Sequence, residues 1–142
     1  MRRLIESATA LTLLLSLGCA PRAQLASAPE ATELLGTWTV DLRPTPDAEA
    51  YYQEFVVTAV DGKRFTGTFY GTAIENARVN TDWGQLHFAF TTADGSGAYN
   101  TSGVLVDGKL QGRTHSLGRE FLAVWTAEKQ ASPGRWTSSC WT

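Results

Sequence analysis

The densest set of reactive side chains in the sequence is the run "RTHSLGRE", which holds Arg113, Thr114, His115, Ser116, Arg119 and Glu120. A serine beside a histidine invites a hydrolase reading, with Ser116 as nucleophile and His115 as base. Neighbours on a strand point to opposite faces, so these two side chains cannot meet directly. The Gly-x-Ser-x-Gly turn that presents a nucleophilic serine is also missing from the sequence. No catalytic residue is therefore assigned, and a hydrolase centred on His115 is the minor alternative. Arg119 and Glu120 are expected to ion-pair at the start of a strand, a surface contact worth under about 1 kcal/mol. Thr114 and Arg119 could instead supply hydrogen bonds at the mouth of a ligand cavity. Two histidines and two distant cysteines lack the spacing of a metal site, so neither metal nor cofactor is expected.

Strands must position these side chains. From residue 34 about eight runs read as strands, at 34–42, 51–60, 63–73, 75–83, 84–92, 97–106, 109–117 and 119–129. Phe55, Val57 and Ala59 alternate with Glu54, Val56 and Thr58, a period-2 pattern that buries one face. Glu54 and His87 are expected to face solvent. Asp61-Gly62, Asp94-Gly95 and Asp107-Gly108 mark tight hairpins, because Asp-Gly accepts the positive φ of a type I′ turn. Three such turns make sequential antiparallel pairing the simplest topology. About eight short strands can close into an up-and-down barrel, which removes exposed edges. The expected fold is thus all-β, an eight-stranded antiparallel up-and-down barrel spanning 34–129.

A two-residue Asp107-Gly108 loop would place Val106 opposite Lys109, Leu105 opposite Leu110 and Gly103 opposite Gly112. The apposed glycines leave room on one face, for a strand bend or for a ligand. Gly67 and Gly71 in the third run, with Gly103 and Gly112, permit the coiling a small barrel needs. Such a barrel is just wide enough to be filled by side chains or to hold one small ligand. Its aromatics serve either purpose. The candidate ligand contacts are Phe69, Tyr70, Trp83 and Tyr99, joined by Thr114 and Arg119, for a small apolar or amphiphilic molecule.

The chain has 142 residues, 43% of them hydrophobic and 18% charged, which suits one globular domain. Its net charge of −2 comes without a basic run, so nucleic acid is not an expected partner. Arg2 and Arg3 precede an apolar stretch from Ala8 to Leu17, too short to span a bilayer and the right length for a secretion signal. Residues 1–18 are therefore expected to be a signal peptide. Residues 19–33 form an Ala/Pro-rich tether and 130–142 a C-terminal tail. Cleavage before Cys19 and cleavage near Ala26-Ser27-Ala28 both remain open from the residues. A lipidated Cys19 would leave Cys140 unpaired; an unmodified Cys19 could bridge to it.

Three stretches carry family resemblances. Leu15-Ser16-Leu17-Gly18-Cys19 resembles the lipobox of bacterial lipoproteins, with Ser16 where that box has leucine. The resemblance implies acylation of Cys19 and a place in the bacterial cell envelope, lipid-anchored to a membrane. Gly36-x-Trp38 in "LLGTWTVDL" resembles the first strand of the calycin superfamily, the lipocalins and avidins. That likeness implies that Trp38 plugs the closed end of the barrel. "FTGTFYG" is similar to the third strand of avidin-type barrels, and "NTSG" and "LGREF" also follow that family. Val40 and Phe69 stand where avidins place biotin-contacting Asn and Tyr, so biotin binding does not carry over. Thr81-Asp82-Trp83 looks like the lipocalin Thr-Asp-Tyr motif but follows the fourth strand rather than the sixth. The lipocalin arginine that lies over the tryptophan has Arg113 and Arg119 as candidates here. Together these imply a membrane-anchored lipoprotein whose barrel binds a small ligand. The alternative is a structural or protein-interaction lipoprotein with a filled barrel, its protein partner not specified by the sequence.

Overall fold

A computed structural model describes residues 27–132. The expected signal peptide, Cys19, Cys140 and most of the expected tail lie outside the described residues. A single 3-10 turn, Ala31–Leu34, precedes nine strands. They are β1 Gly36–Asp41, β2 Tyr52–Asp61, β3 Arg64–Phe69, β4 Thr72–Ala73, β5 Glu75–Asn80, β6 His87–Asp94, β7 Gly97–Val106, β8 Lys109–Ser116 and β9 Phe121–Lys129. Every pairing is antiparallel, in the order β4-β3-β2-β1-β9-β8-β7-β6-β5. The last strand therefore returns beside the first. At the remaining seam the Val79 N–H donates to the Lys63 carbonyl at 3.0 Å. The result is a nearly closed up-and-down barrel, compatible with a calycin-like fold.

The ninth strand has a local cause. Tyr70 and Gly71 both have positive φ, 53° and 73°, and form a tight turn inside the run expected to be one strand. Phe69 consequently pairs with Thr72, and Thr68 with Ala73. Gly71 makes a corner rather than a gentle coil. Gly67 is needed for a different reason: an added Cβ would lie 1.8 Å from the Val56 carbonyl oxygen, where β2 bulges between Val57 and Ala59.

One end of the barrel is closed by its own chain. Leu34 is fully buried, and the Trp38 indole N–H donates to the Leu34 carbonyl at 2.9 Å. The Lys129 ammonium sits 5.1 Å from the Trp38 ring centroid and donates to the Glu33 carbonyl at 2.8 Å. Trp38 is thus buried under this turn, at the position where the resemblance expects a plug. The cation over it is Lys129, and neither Arg113 nor Arg119: Arg113 points outward from β8, and Arg119 stands at the opposite end. The last residue of β9 reaches the plug because β9 runs antiparallel beside β1, Trp38 facing Lys129.

Above the plug, inward side chains stack. Phe55 lies 5.6 Å from Phe88 and 5.3 Å from Phe90, and Phe69 lies 5.6 Å from Trp125, centroid to centroid. Gly103 does stand opposite Gly112, with Leu105 opposite Leu110 and Val106 opposite Lys109. The room they leave is not open to a ligand. Rings fill it: a Cβ on Gly103 would lie 2.5 Å from Phe88 Cζ, and one on Gly112 2.2 Å from Trp125 Cζ2.

Candidate functional site

The inward pattern changes character towards the open end. β6 passes from Phe88 and Phe90 to Thr92, β8 from Leu110 and Gly112 to Thr114 and Ser116, and β9 back from Trp125 to Ala123. Small side chains replace rings, so the aromatic stack stops short of the mouth. A cavity of about 410 Å³ remains there. Leu42, Phe69, Phe121 and Ala123 give it apolar walls; Tyr51, Tyr70, Asp94, Tyr99 and Arg119 stand round it. Thr114 lies at its inner boundary. The Thr114 hydroxyl accepts the Trp125 indole N–H at 3.0 Å and shares a hydrogen bond with Thr101 at 3.0 Å. Among the described residues, no buried side-chain polar atom lacks a partner.

Two polar groupings shape the rim. Asp94 accepts the Ser96 backbone N–H at 2.8 Å, the Ser96 hydroxyl, and the Tyr99 hydroxyl at 2.8 Å. These donors, the Ser96 hydroxyl foremost, hold the Asp94 carboxyl down to a pKa of about 2. Arg119 Nε donates to the Ser96 hydroxyl at 2.8 Å, and its Nη2 lies 3.6 Å from Asp94. The ionic partner of Arg119 is therefore Asp94, not the expected Glu120. Glu120 has a φ of 51° and occupies the tight turn between β8 and β9. In the second grouping the phenol oxygens of Tyr51 and Tyr70 are hydrogen-bonded, with ring centroids 6.2 Å apart. That bond raises the Tyr70 pKa above the ordinary phenol value. At the end of β1, Arg43 Nε contacts both Asp41 oxygens, at 2.9 and 2.7 Å, and lowers the Asp41 pKa.

Five of the six candidate ligand residues thus come together: Phe69, Tyr70, Tyr99, Thr114 and Arg119 all border this cavity. Trp83 does not. It is 85% exposed and lies between β5 and β6 at the closed end, next to the Asp82 that pairs with Lys63. The Thr81-Asp82-Trp83 motif accordingly forms part of a turn far from the mouth. Among the lining residues that sequence reasoning left out are Leu42, Tyr51, Thr92, Asp94, Phe121 and Ala123. The period-2 pattern could have found three of them, since Thr92 and Asp94 share parity with Phe88, and Ala123 shares parity with Trp125.

Ser116 and His115 face opposite sides, as alternation requires. The buried Ser116 hydroxyl accepts the Arg119 backbone N–H at 3.2 Å, while His115 is exposed. His115, Arg113 and Asn100 border a second, shallower depression of about 400 Å³ on the outer face of the sheet. Glu54 and His87 are exposed. Among the described residues, no group of three or more His, Cys, Asp or Glu is placed to hold a metal ion. No protein family, curated protein or solved structure matches the chain.

Proposed function

We propose that the protein is a lipocalin-like barrel of the calycin type that binds a small apolar or amphiphilic molecule at its open end. The observation that carries this reading is the cavity of about 410 Å³, with apolar walls and a few fixed polar groups at its rim. Its size falls in the range of about 300–1,000 Å³ usual for small-molecule sites, and its composition matches theirs. The 3-10 turn and Trp38 at the other end support the calycin assignment by shape, alongside the Gly36-x-Trp38 motif. The proposal includes a lipid on Cys19 that holds the barrel to a bacterial envelope membrane. The paired arginines, short apolar run and lipobox-like stretch of the leader support it.

Direct titration tests the binding role. A neutral, environment-sensitive fluorescent probe should bind the purified protein saturably. Ala123→Trp, which fills the cavity from β9, should abolish that binding while the melting transition persists. An unresponsive wild-type protein would overturn the proposal. It would favour the second reading, an interaction protein with a filled barrel, for which exposed Leu117, Leu122 and Val124 offer an apolar surface. Incorporation of labelled palmitate that is lost in Cys19→Ala tests the anchor separately.

A further inference from the structure

Ala89 on β6 stands opposite Ser102 on β7, and the same row continues to Arg78 on β5 and to Arg113 and Val124 on β8 and β9. Residues directly opposite in antiparallel strands share a face, and this row lies on the outer one. The two arginines are three strand spacings apart, about 14 Å along the sheet. Only the short side chains of Ala89 and Ser102 lie between them. The next row passes from Thr91 and Asn100 to His115 and Leu122. These short side chains account for the depression of about 400 Å³ on this face, with Arg113, His115 and Leu122 along one wall. It runs with the strands, as a trough.

The trough's charge is opposite to the chain's. Net charge is −2, yet by alternation no outward side chain of β6, β7 or β8 is acidic. Lys109, at the closed end of β8, is paired with Glu128 at 2.6 Å. Arg113 is not paired: among the described residues, no ion pair includes it. Glu75 is opposite Thr91 on β5, across the trough from Arg113. Beside Arg113 and His115 in register, Val124 and Leu122 are 65% and 59% exposed. An uncompensated guanidinium next to uncovered aliphatic side chains is the composition of a protein interface, where arginine is enriched among the anchoring residues. No Phe, Tyr or Trp faces outward on β6 to β9, so a sugar ring has no stacking platform there. The cationic group also borders a concavity, which suits a chain segment better than a flat bilayer.

We propose that this face docks an extended segment of a partner protein that combines Asp or Glu with aliphatic residues. Its carboxylates meet Arg113, and its aliphatic side chains cover Leu122 and Val124. Asn100 and Ser102 offer its backbone an amide and a hydroxyl. The claim is independent of the open-end cavity. Selection of a phage-displayed library of random peptides on the purified full chain tests it. The enriched peptides should join acidic to aliphatic residues and, in NMR titration, shift Asn100, Ser102, Arg113 and Leu122. Arg113→Gln should weaken them about tenfold, the scale of one charge-assisted hydrogen bond. Arg113→Lys, which keeps the charge, should retain part of the affinity. Absence of enrichment, or enriched peptides without acidic residues, would overturn the proposal. So would acidic peptides whose shifts lie in the open-end cavity, or undiminished binding by Arg113→Gln with the variant folded. Binding of phosphatidylglycerol vesicles through the same residues, with no peptide bound, would overturn it in favour of a membrane surface.

Discussion

Gly103 on β7 and Gly112 on β8 stand directly opposite each other, and the two positions they vacate are occupied by the rings of Phe88 and Trp125. The glycines are therefore part of the core's shape. A methyl group at Gly112 would overlap Trp125 across its six-membered ring, and one at Gly103 would overlap Phe88. Overpacking of this kind costs about 1–3 kcal/mol. Gly112→Ala and Gly103→Ala are each expected to lower the urea midpoint by that equivalent, with an unchanged m-value. Wild-type stability in Gly112→Ala would contradict the packing described.

The Trp125 indole N–H is buried, and Thr114 is its partner. Thr114→Val keeps the volume and removes the acceptor, leaving that N–H unsatisfied. Such a loss costs about 1–3 kcal/mol. Thr114→Ser should retain most of the stability, because it keeps the oxygen. Chemical denaturation of the two variants compares them directly.

At the closed end, Lys129 contributes through the Trp38 ring and the Glu33 carbonyl together. Lys129→Gln is expected to cost about 1 kcal/mol, the scale of an exposed cation–π contact plus a hydrogen bond. Arg113→Gln, on the exposed face of β8, should stay within about 0.5 kcal/mol of wild type. A reversal of that order would remove Lys129 from its place over the plug.

The rim network has a definite pH dependence. An unperturbed aspartate titrates near about 3.9, whereas Asp94 is held at about 2 when folded. A depressed folded value means that the stabilisation is present above about pH 4 and is lost as the pH falls through about 2. Following the Asp94 carboxyl carbon by NMR should give a midpoint near 2. Ser96→Ala, which removes the foremost cause, should move that midpoint up towards the ordinary value.

Several of these relationships are legible in the sequence, and for a physical reason. Asp107-Gly108 fixes a two-residue loop, and with the loop length set, every pair from Val106–Lys109 to Gly103–Gly112 follows by counting. The turn at Tyr70-Gly71 was hidden because a bulky residue at positive φ is rare; Gly71 alone hinted at it. Adjacency in sequence suggests Arg119 with Glu120, but it says little about which charges meet across a loop, and Arg119 meets Asp94. Residue type alone groups Trp83 with the ligand contacts, yet it lies in the β5–β6 connection at the plugged side. The cavity itself was not readable. It depends on where the stack of rings stops, and that is decided jointly by Phe69, Phe90 and Trp125, which meet from three different strands.

The central claim is that the space inside the open end receives a ligand. The most direct measurement is an NMR titration of the folded protein with a neutral apolar probe, read residue by residue. The expected result is saturable binding with shift changes concentrated at Phe69, Tyr99, Thr114 and Ala123. No saturable change, or changes confined to the outer face around Asn100, Arg113 and His115, would contradict it.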